Sequence, residues 1–352
     1  MEHEARVRAF GDGDLIAAAT LQRGLQLFET SFGAFAYREI GGTWVTLGGP
    51  LCAPQDRSEM LDRLLVKCPR PVLCYLREST LASLDAPAGA PGHLRARGLF
   101  VGGMGRDHEV DVTELVTRPP REVASASKKA ARAGIRLEPF DLATLDREGR
   151  DRLREINEAY LGRARVETEM TFLNWPLDFA SPHTRRAHWL VQDDPQGRRV
   201  FGFTLENPVY REGRRTGYLL DALRFEKTRT WGLWLVVVSA LAKLCHAEGS
   251  TLTVGFCPLH GVEQARFGAS RLLDFQLKLI ARSLADVHFV RRLRELKSVV
   301  PHRAEPRFFC APTRSAPRAL GLFLEAMGAG PRMLFGAEAL RAAKLAMKEA
   351  LS

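Results

Sequence analysis

The sequence predicts a mixed α/β (α+β) fold built as two domains. Strand-like and helix-length runs follow one another without strict alternation, the pattern of that class. The length, 352 residues, exceeds one average domain. A hydrophobic content of 45% supplies material for a sizeable core.

The first segment runs to about residue 115. Leu15–Leu27 reads as a helix. Ala34–Arg38 and Thr43–Leu47 flank Gly41-Gly42, a hairpin signal, and Gly48-Gly49-Pro50 stops the second strand. Arg57–Val66 has helical spacing at Met60, Leu61, Leu64 and Leu65. Pro71–Leu76 is a short apolar strand, and Leu81–Leu84 begins another helix. After the Pro/Gly/Ala loop Ala86–Gly92, Leu99–Val101 and Glu109–Val112 read as two strands separated by Gly102-Gly103-Met104-Gly105.

A basic stretch follows. Arg118-Pro119-Pro120-Arg121 leads into Glu122–Ala133, which stops at Gly134; proline before and glycine after are helix start and stop signals. Its basic residues include Lys128, Lys129 and Arg132, and its only acid is Glu122. Few large apolar residues lie in it, so core burial alone cannot hold it as a helix. Such a helix either bridges two domains or faces an anionic partner.

The second segment opens with a strand at Ile135–Pro139 and a helix at Asp146–Leu161. Ala187–Gln192 and Val200–Glu206 are strands around the turn-rich Asp193–Gly197. Arg214–Leu220 is the next strand, Trp231–His246 a helix, and Thr251–Phe256 a further strand. Val262–Val299 is long, basic and mostly helical in pattern, and Leu320–Met327 and Ala337–Leu351 read as closing helices. Both halves share a coarse plan in which a hairpin precedes a helix and another strand.

The formal charge of +10 suits anionic partners such as tRNA, an acidic lipid surface or a phosphorylated cofactor. A general preference for arginine would produce the same charge without any partner. None of the six cysteines forms a Cys-x-x-Cys pair, so neither metal spacing nor a disulfide framework is present, and reduced core cysteines are expected. Met1–Arg6 lacks the basic and apolar regions of a signal peptide, and the longest apolar run, within Trp231–Cys245, is too short to span a bilayer. A cytoplasmic protein, at most associated with the inner membrane surface, is the expectation.

Four motifs bear on chemistry. Asp221 and Arg224 stand three residues apart at a strand end. The spacing suits a surface ion pair. It also suits a cleft in which Arg224 holds a carbonyl, phosphate or terminal ribose while Asp221 takes an acceptor proton or positions an amino group. Arg229-Thr230-Trp231-Gly232-Leu233-Trp234 approximates the strand-to-helix turn with which acetyltransferases of the GNAT type hold the pyrophosphate of acyl-coenzyme A. Trp234 stands where that turn needs a small residue. Phe256-Cys257-Pro258-Leu259-His260-Gly261 is a Pro/Gly turn after a strand; His260 is a candidate base, and Cys257 as a nucleophile would need a lowered pKa and a nearby base. Arg291, Arg292 and Lys297, followed by Glu305-Pro306-Arg307-Phe308, form either a solvated basic face or, with Lys128, Lys129 and Arg132, a track for a phosphate backbone.

Taken in order, these features resemble the cytosolic C-terminal domain of the phosphatidylglycerol aminoacyltransferases, the multiple peptide resistance factor family. The shared features are the Gly-Gly-Pro turn after an early hairpin, the basic helix ending in glycine, Asp-x-x-Arg, the Pro-Leu-x-Gly turn, and a late lysine followed by Pro-Arg-aromatic at Lys297 and Pro306-Arg307-Phe308. The resemblance spans roughly Leu27 to Phe309. It implies two GNAT-like domains, 1–117 and 135–352, joined by a basic helix at 118–134. It implies transfer of an amino acid from aminoacyl-tRNA to a lipid hydroxyl or other small acceptor, with the tRNA ester as co-substrate and no other cofactor or metal. It places Asp221 and Arg224 near the reaction centre and tRNA contacts on Lys128, Lys129, Arg132, Arg291 and Arg292. Substrate contacts are expected at Phe256, Cys257, Pro258, His260, Lys297 and Arg307. Phe256-Cys257 departs from the small residues expected before Pro-Leu. The rival expectations are an acyl-coenzyme A N-acyltransferase and a non-catalytic RNA- or membrane-binding module.

Overall fold

The computed structural model describes residues 2–85, 92–164, 171–179, 184–195, 197–226, 230–262, 271–284 and 288–328. Its strands are β1 (Gln26–Glu29), β2 (Gly33–Ile40), β3 (Thr43–Leu47), β4 (Leu51–Cys52), β5 (Val72–Leu76), β6 (Phe100–Val110), β7 (Ile135–Phe140), β8 (Arg186–Asp194), β9 (Gly197–Arg211), β10 (Arg214–Phe225), β11 (Thr251–Pro258) and β12 (His302–Ala311). Its helices are α1 (Glu2–Phe10), α2 (Arg57–Lys67), α3 (Glu78–Asp85), α4 (His93–Ala96), α5 (Val112–Thr117), α6 (Arg121–Arg132), α7 (Arg147–Ala164), α8 (Thr230–Glu248), α9 (Arg271–Leu284), α10 (His288–Ser298) and α11 (Ala316–Ala326).

All twelve strands belong to one mixed sheet, in the order β1-β2-β3-β5-β12-β6-β11-β10-β9-β8-β7, with β4 paired to β2. Each half repeats one plan. An antiparallel run ends in a strand, helix, strand crossover that lays two strands parallel: β3-α2-β5 in the first half and β10-α8-β11 in the second. The fold is thus α+β with two units of similar plan. The halves also interlock, because β6 from the first lies between β11 and β12 of the second and is antiparallel to both.

Period-two alternation, interrupted on β5 at Tyr75 (φ +62°), explains how helices cover both faces. On β5 and β12, Leu73, Leu76, Phe308 and Cys310 pack with Met60, Leu61 and Leu64 of α2 and with Leu81 and Leu84 of α3. The intervening Val72, Cys74, Phe309 and Ala311 pack with Leu273 and Leu277 of α9 and Phe323 of α11. In the second half Tyr218 and Leu220 meet Val238 and Leu241 of α8, while Phe203 and Ala222 meet Leu153 and Ile156 of α7. All six cysteines are buried as free thiols.

Local signals account for most boundaries. Gly41 and Gly42 have φ of +53° and +77°, the primed-turn geometry that matches strand twist. Gly134 has φ of +66°, and a Cβ there would lie 2.6 Å from the Asp193 carbonyl oxygen, so only glycine ends α6 in this way. Two expectations need correction. The helix at Leu15–Leu27 is instead a 3-10 turn at Ala18–Leu21 followed by β1, because buried Leu15, Ala17 and Ala18 pack into three separate clusters rather than along one stripe. The glycines at 102, 103 and 105 do not split two strands. They run inside β6, where a Cβ on Gly102 would sit 2.6 Å from the Phe309 ring; glycine admits a close neighbour. The stretch Val262–Val299, expected to be mostly helical, contains two described helices, α9 and α10. The helix expected at Ala337–Leu351 lies outside the described residues.

Candidate active site

β10 and β11 pair over only three residues, Gly217–Leu219 against Thr251–Thr253. Beyond Leu219 the strands diverge, and each carries an irregularity at that point. β10 shifts register against β9 between Leu220 and Ala222, leaving Asp221 as the extra residue of a bulge. β11 shifts against β6 between Thr253 and Phe256, where Gly255 has φ of +80°. Bulges unpair backbone and re-aim side chains. The strand expected to end at Leu220 therefore continues to Phe225, and Asp221 lies inside it rather than at its end.

The fork holds a cavity of about 300 Å³. Leu219, Leu220 and Asp221 form one arm, and Val254, Gly255 and Phe256 the other. α9, α10 and α11 close it with Ile280, Leu293 and Phe323, and the first half of the chain contributes Ile16, Tyr75 and Met104. The Tyr75 and Phe256 rings meet edge to face at 5.2 Å.

Two ionisable groups of the second half stand in this apolar wall. Asp221 has a side chain only 2% exposed. Its carboxylate accepts from Arg185 Nη2 at 2.6 Å and from the Trp175 backbone N–H at 3.1 Å. Arg185 also donates to the Trp175 and Pro176 carbonyl oxygens, and its guanidinium lies over the Trp175 ring. Asp221 thereby fastens the segment 171–179 against the cavity, where Leu173 and Asn174 front it. Lys297, on α10, is buried and donates to the carbonyl oxygens of Gly255 at 2.8 Å and Phe256 at 2.7 Å. Gly255 falls within the irregularity of β11, and Phe256 follows it, back in register with Asp107. Burial pushes the Lys297 ammonium down to about 8.

Arg224 does not join Asp221. The bulge leaves Ala222 facing α7, and Arg224 follows it on alternation, its guanidinium over the Tyr160 ring of α7 at 4.5 Å. The pairing inferred from Asp-x-x-Arg spacing is replaced by Asp221 with Arg185. Of the turn after β11, Phe256 and Pro258 front the cavity. Cys257 is buried behind them, and burial pushes its thiol up, the opposite of what a nucleophile requires. His260 stacks on His108 with ring centroids 5.2 Å apart. Burial first, then Lys297, His302 and His260, push the His108 imidazole down to about 3.

Arg307 is completely buried and is not part of the lining of this cavity. It donates to Asp107, with a second bond to Glu305 at 3.1 Å, and lies over the Tyr75 ring, whose hydroxyl donates to the same Asp107. Arg307 is thus an internal counter-ion that fixes Tyr75 at the cavity wall, rather than part of a surface track. Lys128, Lys129 and Arg132 are exposed on α6, while Val123 and Ala130 of the same helix are buried against the core. Arg291 is exposed beside Glu295 at 3.6 Å, and the Arg292 side chain is outside the described residues. Of the GNAT-type turn, Arg229 is likewise outside them; Trp234 fronts the cavity. Sequence spacing missed Arg185, Tyr75 and Asp107, which are distant in the chain from every motif; the only signal was an isolated Tyr in the apolar strand Pro71–Leu76.

Among the described residues no group of three or more His, Cys, Asp or Glu is placed to hold a metal, and no helix is long and apolar enough to cross a membrane. Among curated proteins none matches the chain significantly. The fold is similar to that of L-PGS from Bacillus licheniformis, with a TM-score of 0.71 at 14% identity, covering 94% of this chain and 97% of that one. It is similar to the C-terminal domain of a putative lysylphosphatidylglycerol synthetase from Agrobacterium fabrum, with a TM-score of 0.69 at 15% identity and coverage of 94% and 98%. A conserved protein of unknown function from Bacteroides thetaiotaomicron has a TM-score of 0.52 at 8% identity, covering 87% of this chain and 91% of that one. The family model described as phosphatidylglycerol lysyltransferase, C-terminal, matches residues 4–311. With that match over most of its length, the chain belongs to the phosphatidylglycerol lysyltransferase C-terminal family and is an aminoacyltransferase.

Proposed function

We propose that the chain transfers an aminoacyl group from charged tRNA to the hydroxyl of a lipid, phosphatidylglycerol being the acceptor that its family suggests. The observation that carries the reading is Lys297, an amine buried at the wall of an apolar cavity and held by two strand carbonyls. The acceptor hydroxyl oxygen attacks the ester carbonyl carbon, and the bond from that carbon to the tRNA ribose oxygen breaks. The proton leaves the attacking hydroxyl and ends on the ribose oxygen. A neutral Lys297 is suited to take that proton and return it. The ester is already activated, so positioning and proton transfer suffice, and no cofactor besides the aminoacyl-tRNA is invoked.

Asp221 holds the cavity wall through Arg185 and the Trp175 N–H rather than meeting the substrate directly. The exposed Lys128, Lys129 and Arg132 supply a face for the tRNA backbone. The net charge of +10 favours a cytoplasmic protein that works against an anionic inner membrane surface. We retain the division at 117 and 135, with α6 between the units.

The test is transfer of labelled amino acids from a pool of charged tRNAs to phosphatidylglycerol vesicles. Wild-type protein should label the lipid, and Lys297→Met should slow labelling by about 100-fold. Undiminished transfer by that variant would remove Lys297 from the chemistry. Stabilisation by coenzyme A without any by tRNA would instead favour an acyl-coenzyme A donor.

A further inference from the structure

Tyr75 is the one aromatic residue of β5, and its backbone stands at φ of +62°, a region that bulky side chains rarely enter. A bulge puts it there. Between the register pairs Leu76–Phe308 and Leu73–Cys310, two residues of β5, Cys74 and Tyr75, stand opposite the single Phe309 of β12. The extra residue breaks the alternation. Leu73 and Leu76 pack with α2 and α3, while Cys74 and Tyr75, consecutive in the chain, both join the opposite core. The strained conformation thereby delivers the Tyr75 ring to the wall of the cavity.

The ring is held there by three partners. Phe256 meets it edge to face at 5.2 Å, the Arg307 guanidinium lies 5.3 Å from its centroid, and its hydroxyl donates to Asp107. Burial, and after it Asp107, push that hydroxyl well above the usual tyrosine range, so it stays a donor. Two of these partners lead on to Lys297. Phe256 gives its carbonyl oxygen to the Lys297 amine at 2.7 Å, and Asp107 stands opposite Phe256 in the β6–β11 register.

We infer that Tyr75, a residue of the first half, is a positioning residue for Lys297: its ring seats Phe256, and its hydroxyl restrains the Asp107 charge that reaches the amine. This role rests on the proton transfer proposed for Lys297. The ionisable groups around the amine are Cys257 on β11, Asp107 and His108 on β6, and Asp221 across the cavity on β10, with Arg294 on α10 itself near Cys257. Burial draws the ammonium down, while Cys257 and then Asp107 draw it up. Asp221 is already committed to Arg185.

Tyr75→Phe keeps the ring and removes the hydroxyl, so Asp107 acts on the amine with less restraint. The readout is the carbon-13 resonance at the ε position of Lys297, in full-length protein labelled at that atom of lysine and assigned by its loss in Lys297→Met. Its titration midpoint should rise by about 0.5 to 1 pH unit in Tyr75→Phe. In transfer from charged tRNA to phosphatidylglycerol vesicles, kcat at pH 7 should fall about fivefold with KM unchanged. The deficit should shrink by pH 9.5, where the amine is neutral in both proteins. A tyrosine that only fills the core would lower the thermal midpoint and leave the Lys297 titration as in the wild type; that result would overturn the positioning role. Phe256→Leu tests the same coupling should Tyr75→Phe not fold. It removes the ring contact and loosens a carbonyl that favours the ammonium, so the Lys297 midpoint should fall, and an unmoved midpoint would also overturn the role. The titration needs no substrate. Absence of transfer by the wild type would therefore remove the aminoacyl-transfer reading, while the Lys297 resonance still decides whether Tyr75 governs the amine.

Discussion

Lys297 carries consequences for pH on two counts. Its ammonium is pushed from 10.5 down to about 8 by burial, so the folded protein binds fewer protons than the unfolded chain between those values. Stability therefore rises with pH across that window, and below pH 8 the buried cation costs about 3 kcal/mol. The thermal midpoint of the wild type should increase relative to that of Lys297→Met from pH 8 to pH 10; parallel curves for the two proteins would contradict it. If the neutral amine takes the acceptor proton, the transfer rate should also climb through about pH 8 and level off. A flat rate profile between pH 7 and 9 would argue against that role. Asp221 makes a different prediction. Asp221→Ala leaves Arg185 buried without its carboxylate, which should cost about 3–5 kcal/mol in urea unfolding. The double replacement of Asp221 and Arg185 by leucine should cost less than the sum of the single changes. Arg224→Ala, on the α7 face of β10, should retain most of the transfer activity.

At the scale of elements, α6 separates two jobs within one short helix. Val123 and Ala130 anchor it to the core beside α8, while Lys128, Lys129 and Arg132 stay exposed. Reversing the three charges to glutamate should weaken tRNA binding and reduce the slope of log affinity against log salt by about 2–3, with the thermal midpoint nearly unchanged. A slope equal to that of the wild type, measured by filter binding, would remove α6 from the tRNA surface. The irregularities in β10 and β11 have an equally local logic. Regular pairing beyond Leu219 would leave no fork, and the carbonyls of Gly255 and Phe256 that hold Lys297 lie at and just after the irregularity of β11. The helix start and stop around α6 and the Gly41-Gly42 hairpin were legible in the sequence because each rests on residues adjacent in the chain. The bulge at Asp221 was not, because it arises from the mismatch between β10 and its neighbour β9.

For the whole molecule, the interlocked strands set the unfolding behaviour. β6 takes its hydrogen bonds from β11 and β12, so neither half has a closed sheet without the other. Calorimetry of the full chain should show one cooperative transition, and two transitions separated by more than about 10 °C would contradict that coupling. The cavity inherits the same dependence, since Tyr75 and Met104 reach it from the first half while Asp221 and Lys297 come from the second.

Composition and spacing by themselves gave an α+β chain whose halves share one plan, with a basic helix at 121–132 and reduced core cysteines. Those properties follow from neighbours along the chain, where periodicity and turn chemistry operate. Only the tertiary structure decided that Asp221 pairs with Arg185 instead of Arg224, and that Arg307 belongs to Asp107 and Tyr75. It also placed Lys297 on the carbonyls of a distorted strand. Each depends on which charge is brought within hydrogen-bond reach in a dry interior. That proximity is set by strand order and register over long separations, such as the 200 residues between Asp107 and Arg307.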